Sequence, residues 1–417
     1  MGEALGVGAT WLPAASGPQC WLDFRPATAA RDLATMRAAG FATARVHLAW
    51  DAFMPSHRQV SRHRLRDLDS LLGSARDLGM RCELVLFAQT FGDGVLLPRY
   101  AVARTRPRPG VRVLTEGSVT EGGPRDQWVD PLMLEVEEMW LSALLESFAN
   151  HPAVAAWDLG HDPATTVRPR RIAHVAAWCA LHGGAIRARG DRVRLTLGAG
   201  DVLVARGMRL AAAAAHVDAL GLAVDPQRLG LGRPVGEPDL EGAEFVVELA
   251  MRLAADGGAA VPLHLVTGLA AGDPADFPRG ESAPEPVSPA VPWDVALLDP
   301  PAAAAAAGEL VGRLAEAGVA ALCATAWTTL SDLVARSAPI DRTPALARHG
   351  LARPDGELRA AGEQWSALAL AEREAAAPAP WPARLDAEQY YRELPDSARD
   401  LFADWRADRG GPADEEG

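Results

Sequence analysis

The chain has 417 residues, 49% hydrophobic and 23% charged, the balance of a globular protein with a large core. A formal charge of −13 speaks against a nucleic-acid partner, because a phosphate binder needs a basic surface to release counterions. The most apolar window, 301–327, is broken by Glu309, Arg313 and Glu316, so no membrane partner is expected.

In chain order, short β-like runs alternate with longer helical patterns, the signature of βα units around a parallel sheet. Strands are expected at 6–12, 43–50, 81–89, 153–160, 192–200, 217–225, 261–270 and 321–327. Between the first two, "ATAARDLATMRAAG" (27–40) carries Leu33 and Met36 at helical spacing and ends on a glycine. Between the second and third, "HRLRDLDSLLGSARDLGM" (63–80) repeats the pattern. Eight strand–helix steps predict an α/β fold, a (β/α)₈ TIM barrel, although periodicity alone leaves a doubly wound sheet open.

Two irregular inserts, 92–128 after strand three and 271–300 after strand seven, fall on the C-terminal face, where such barrels keep their active-site loops. The barrel is assigned residues 1–373. Residues 374–417 are read as a C-terminal helical extension that packs on the barrel and has a mobile end. Four scattered cysteines show no CxxC or metal-ligand spacing, and neither a metal site nor a cofactor is expected. The opening residues lack a basic stretch followed by a long apolar one, so the cytoplasm is the default location.

Several segments, in their order and spacing, resemble a known family. "RDLATMRAAGFATARVHLAWDAFMP", "GVLLPRY", "HPAVAAWDLGHDP" and "ALCATAW" are similar to segments of the clan-A (β/α)₈ glycoside hydrolases, which include cellulases, mannanases and β-galactosidases. The resemblance implies a sugar site lined by Arg45 and Trp50 from strand two, Trp157 from strand four and Trp327 from strand eight. It also implies a pair of catalytic carboxyl groups, which retaining enzymes hold about 5–5.5 Å apart.

The chemical positions depart from that pattern. His161–Asp162 stands at strand four where the family has Asn-Glu, so the carboxyl remains but is one methylene shorter. "LAVDP" at strand six offers Ala223 and Asp225 in place of the usual His and Tyr. Strand seven should end in a nucleophilic Glu, yet "LVTGLA" presents Val266 or Thr267, and no acid lies between Leu263 and Gly272.

From the residues themselves, Asp162 reads either as a general acid/base or as a capping Asp beside Pro163. His161 reads either as a pocket residue able to hold a proton or bond a ligand, or as a strand-end residue bonded only to its neighbours. Asp225 reads either as a second carboxylate facing Asp162 or as a turn residue before Pro226. Arg45, charged in an apolar strand, needs a buried carboxylate or ligand partner. The tryptophans read as a sugar-stacking wall or as barrel core.

Three functions follow. The first, and favoured, is a degenerate glycosidase, a pseudoenzyme that binds a carbohydrate or glycosylated small molecule without the standard retaining hydrolysis. The second is an enzyme with altered chemistry using Asp162, His161 and Asp225. The third is a non-catalytic interaction protein.

Overall fold

The computed structural model describes residues 4–409 except 93, 106, 108–109, 206, 257, 259–260, 273–294, 372 and 378–384. Eight parallel strands close into a barrel: β1 Gly6–Thr10, β2 Thr43–His47, β3 Arg81–Phe91, β4 Val154–His161, β5 Val193–Gly198, β6 Ala219–Val224, β7 Leu263–Thr267 and β8 Ala321–Ala324. Each strand pairs with its sequence neighbour, and β8 closes on β1 with Gly6 opposite Ala321. The barrel read from the alternating pattern is the one formed.

Around it run α1 Pro26–Ala38, α2 Arg62–Asp77, α3 Pro131–Phe148, α4 Ile172–Arg187, α5 Leu210–Ala214, α6 Leu240–Ala255, α7 Pro300–Glu316 and α8 Ala360–Leu370. Their starts follow local chemistry: Ser61, Asp130, Asp239 and Asp299 each accept a backbone N–H of the first turn, satisfying donors a helix cannot pair itself. Leu68, Leu71, Leu72 and Ala75 of α2 fall on one stripe and are buried against the sheet.

The insert after β3 is built of short strands. Gly94–Leu96 pairs with Arg112–Thr115, which pairs in turn with Ser118–Thr120. It is tied to the barrel by Glu116 N–H, which donates to the buried Asp51 carboxylate at 2.8 Å. The second insert, 271–300, lies mostly outside the described residues, but its stem is paired at Ala271 and Leu298.

Two C-terminal helices, α9 Ala387–Arg392 and α10 Asp396–Asp408, lie against α5 and α6. Tyr390 donates its hydroxyl to Val202 O at 2.7 Å, the Trp405 indole donates to Glu248 at 2.8 Å, and Phe402 and Trp405 pack on Phe245. The expected mobile end, 410–417, lies outside the described residues.

Candidate functional site

A barrel interior is ordinarily filled by layers of branched apolar side chains. Here the middle layer is ionic. The two-residue period of a strand turns Arg45 and His47 of β2, Glu83 of β3, Asp158 of β4, and Arg194 and Thr196 of β5 inward. Arg45 lies opposite Glu83 in the β2–β3 register and donates Nε to it at 3.0 Å. Its Nη2 reaches Asp158 at 2.7 Å and Thr196 Oγ1 at 3.2 Å. Asp158 also takes the Thr196 hydroxyl at 2.5 Å and the backbone N–H groups of Gly160 and Thr196, so this buried carboxylate is fully engaged. Glu83 pairs in addition with Arg194.

Arg45 Nη1 lies 2.8 Å from His47 Nε2. A guanidinium can only donate, so His47 accepts there and carries its proton on Nδ1. Burial, reinforced by Arg45 and then His161, holds its imidazole well below the usual histidine range. His161 stands edge-on to His47 with ring centroids 5.4 Å apart, and burial, then Arg45, pushes it down to about 3. Both rings are therefore neutral at physiological pH. Nδ1 of each is buried without a hydrogen-bond partner among the described residues.

Above this layer, at the C-terminal ends of the strands, opens a cavity of about 510 Å³. Arg45, His47 and His161 form part of its floor, Asp162 and Asp225 line its sides, and Thr10, Thr90, Thr165 and Thr325 contribute hydroxyl-bearing side chains. Pro395, Ala398 and Arg399 from the start of α10 complete one wall.

Asp162 adopts a left-handed backbone (φ 48°), a conformation that Asp tolerates better than most residues. Its N–H donates to Thr196 O at 2.9 Å, and the Thr165 hydroxyl donates to its Oδ2 at 2.6 Å. Gly198 makes room for it, since a Cβ there would lie 2.7 Å from the Asp162 carboxyl carbon. Asp225 caps the turn at Pro226 by accepting Gln227 N–H at 3.1 Å, and its other oxygen lies 3.1 Å from Arg228 Nε. Asp225 thus holds the turn before Pro226 and also lines the cavity.

The structure therefore brings Arg45, His161, Asp162 and Asp225 to one cavity. It does not bring Trp50, Trp157 or Trp327 there. Trp50 begins a one-turn helix, Trp50–Phe53, directly after β2, which swings its ring outward onto Trp140 at 5.6 Å, nearly parallel. Trp157 donates its indole N–H to Asp191 at 2.9 Å, and Trp327 donates to Thr35 at 3.1 Å while packing edge-on to Phe41. All three are buried. At strand seven, Val266 faces the cavity and Thr267 is buried beside it.

Sequence reasoning passed over Glu83, Asp158, Arg194 and His47. Each carried the signal that singled out Arg45: a polar side chain inside an apolar strand run.

The closed (β/α)₈ barrel is a fold that solved glycoside hydrolases share. Among similar solved structures are an exo-β-1,4-mannosidase from Opitutaceae bacterium strain TAV5 and a GH5_18 protein from Streptomyces cattleya in complex with GlcNAc. The first is 20% identical with a TM-score of 0.69, over 89% of this chain and 60% of that one. The second is 16% identical with a TM-score of 0.75, over 98% of this chain and 92% of that one. A GH5_18 protein from Bifidobacterium longum subsp. infantis is 15% identical at a TM-score of 0.69, over 90% of this chain and 81% of that one. At such identities the likeness concerns the fold. No family model and no curated protein matches the sequence. No helix among the described residues is long and apolar enough to cross a membrane.

Proposed function

We propose that this chain is a glycosidase-like barrel that binds a neutral carbohydrate or glycosylated small molecule in the C-terminal cavity, without retaining hydrolysis. The observation that carries this reading is the pair of neutral imidazoles, His47 and His161, at the cavity floor with buried Nδ1 atoms lacking partners among the described residues. Neutral donors and acceptors, surrounded by threonine side chains, suit a polyhydroxylated ligand and fix its pose by hydrogen bonds. The fold adds to this prior: another structure of the Streptomyces cattleya protein holds Manβ1-4GlcNAc.

The absence of hydrolysis rests on strand seven, where Val266 occupies the cavity position and no acid lies between Leu263 and Gly272. Among the described residues, Asp162 and Asp225 are the carboxyl groups lining the cavity, and both are already engaged, by Thr165 and by Gln227 and Arg228. A retaining mechanism needs one carboxylate free to attack and a second to donate a proton.

A second reading has one specific observation in its favour: Asp162 stands at the end of β4, in the cavity, beside His161. An enzyme of altered chemistry would use Asp162 as acid/base. His161, neutral down to about pH 3, would then act as a base or hydrogen-bond partner and not as a resting acid. A cytoplasmic location is part of the same proposal.

The test is calorimetric titration with mannose, GlcNAc and Manβ1-4GlcNAc, alongside turnover of a panel of aryl β-glycosides. Saturable binding with no turnover is the expected result. Turnover that disappears in Asp162→Asn establishes the second reading, and neither binding nor turnover leaves an interaction protein.

A further inference from the structure

The barrel has a second cavity, of about 920 Å³, on the opposite, N-terminal side of the ionic layer. Its space comes from small side chains at inward positions, Gly6 and Gly8 on β1, Ala219 on β6 and Ala321 on β8, where barrels of this kind ordinarily place Val, Ile or Leu. The Arg45 layer separates it from the C-terminal cavity.

Charge is distributed unevenly over its lining. The carboxylates are already engaged: Glu83 by Arg45 and Arg194, Asp218 by Arg187 and by Val193 N–H, and Asp191 by Asn150 N–H and the Trp157 indole. Arg45, Arg187 and Arg194 take part in those pairs, whereas two further guanidiniums do not. Arg192 at the rim is exposed and has no ion-pair partner among the described residues. Arg81, also at the rim, donates to Val154 O at 2.8 Å and meets no carboxylate among them. Deeper in, Arg194 keeps a buried Nε with no hydrogen-bond partner among the described residues.

The same strand period that points Arg194 into the barrel points Arg192 along the same wall, two residues nearer the rim, and Arg81 stands likewise below Glu83. Burial, and then the charges of Arg194 and Arg192, hold the His264 imidazole in this cavity well below the usual range, so it stays neutral and accepts from Arg194 at 3.4 Å. A buried guanidinium with an idle donor, below two uncompensated ones, is a cationic funnel in a chain whose net charge is −13.

We propose that this N-terminal cavity is a binding site for a small organic oxyanion, a phosphate- or carboxylate-bearing molecule. Its anionic group is held by Arg194, Arg192 and Arg81, and its body fills the space beside Gly6, Gly8 and Ala321. Planar guanidinium forks match the oxygens of phosphate and carboxylate groups, and charge-assisted bonds of this kind are the strong ones. The volume exceeds what inorganic phosphate alone occupies and lies in the range of small-molecule pockets. Because Glu83 bridges Arg194 to Arg45, an anion here acts on the same carboxylate that orders the floor of the sugar cavity.

The test uses the full chain with inorganic phosphate, a hexose phosphate and malate as probes, each compared with chloride at equal ionic strength. Thermal unfolding and phosphorus NMR are the readouts. The expected result is a saturable rise in Tm and broadening of the phosphate signal, with affinity reduced about tenfold or more in Arg192→Ala/Arg81→Ala, the loss of charge-assisted bonds. A hexose phosphate that binds more tightly than malate assigns a phosphate group, and the reverse order a carboxylate. Both replaced side chains lie at the rim, and circular dichroism checks the fold of the variant. Absence of saturable binding by all three probes, or equal affinity in wild type and variant, overturns the proposal. The outcome is independent of neutral-sugar binding at the other end of the barrel.

Discussion

Arg45 and Asp158 meet at 2.7 Å in the middle of the barrel, on strands separated by β3, with both side chains out of solvent. Each has other partners, yet neither has water to fall back on. Removing one partner of a buried pair leaves the other charge uncompensated, which is far more damaging than removing a surface pair. Arg45→Met is expected to lower unfolding stability by about 3–5 kcal/mol. The double variant Arg45→Met/Asp158→Leu should recover part of that loss. Urea denaturation of the three proteins measures both quantities, and a single variant as stable as wild type would refute the buried-network account.

The tryptophans give a second test, one that separates packing from ligand contact. Trp50 lies flat against Trp140, with Phe87 at its edge. Trp50→Ala should cost about 3–5 kcal/mol of stability, the usual consequence of emptying an aromatic core site. Sugar affinity measured by calorimetry on the fraction still folded should stay within about twofold of wild type, since rotation of the ring toward the core removes it from the ligand. A large loss of affinity at unchanged stability would restore Trp50 to the sugar wall.

Gly198 and Asp162 supply a third. A methyl group at 198 would press on the Asp162 carboxyl at 2.7 Å, so Gly198→Ala must push Asp162 away from Thr165. A stability loss of about 1–3 kcal/mol is expected, as for other overpacked sites, together with weaker ligand binding. Gly198→Ala/Asp162→Ala should be less than additive in both binding loss and stability, because the carboxyl that the new methyl displaces is no longer there. Full additivity in stability would show that the two residues do not touch.

The neutral histidines predict a pH dependence. The folded-state pKa of His161 is about 3, below the value near 6.5 of an unfolded histidine, and that of His47 is lowered in the same direction. Between those limits the unfolded chain binds protons that the folded chain does not, so stability is highest above about pH 6.5 and falls progressively as pH drops toward 3. Buried Asp32, Asp51 and Glu137 are shifted upward by burial and oppose this trend at the acid end. His161→Gln isolates the effect: its loss of Tm between pH 7 and pH 5 should be shallower than that of wild type. Superimposable Tm profiles would mean that His161 is protonated in the folded protein.

The barrel was legible because strand alternation and helix stripes are written locally, in residues such as Leu68, Leu71 and Leu72 of α2. Arg45 stood out for a related reason, a guanidinium in an apolar run. Its partners were not assigned because pairing depends on register across strands distant in sequence: Glu83 lies opposite Arg45, and Asp158 on the strand beyond. The direction of Trp50 was invisible for another reason. A single helical turn after β2 decides which way its ring faces, and no periodicity is visible over four residues. Asp162 starts the Pro163–Thr166 turn and also lines the cavity, but its side chain caps no backbone N–H of that turn and takes the Thr165 hydroxyl, a choice that local sequence does not reveal.

The wall formed by Pro395, Ala398 and Arg399 has a consequence for biosynthesis. The first strand of the barrel leaves the ribosome long before α10 does, so a nascent chain can close its sheet while the binding cavity still gapes on one side. Ligand gained at that stage would be held by an incomplete enclosure, and retention has to wait for α10 to dock through Phe402 and Trp405. Premature termination just upstream of Pro395 would therefore leave the cavity short of one wall and uncover Phe245 on α6.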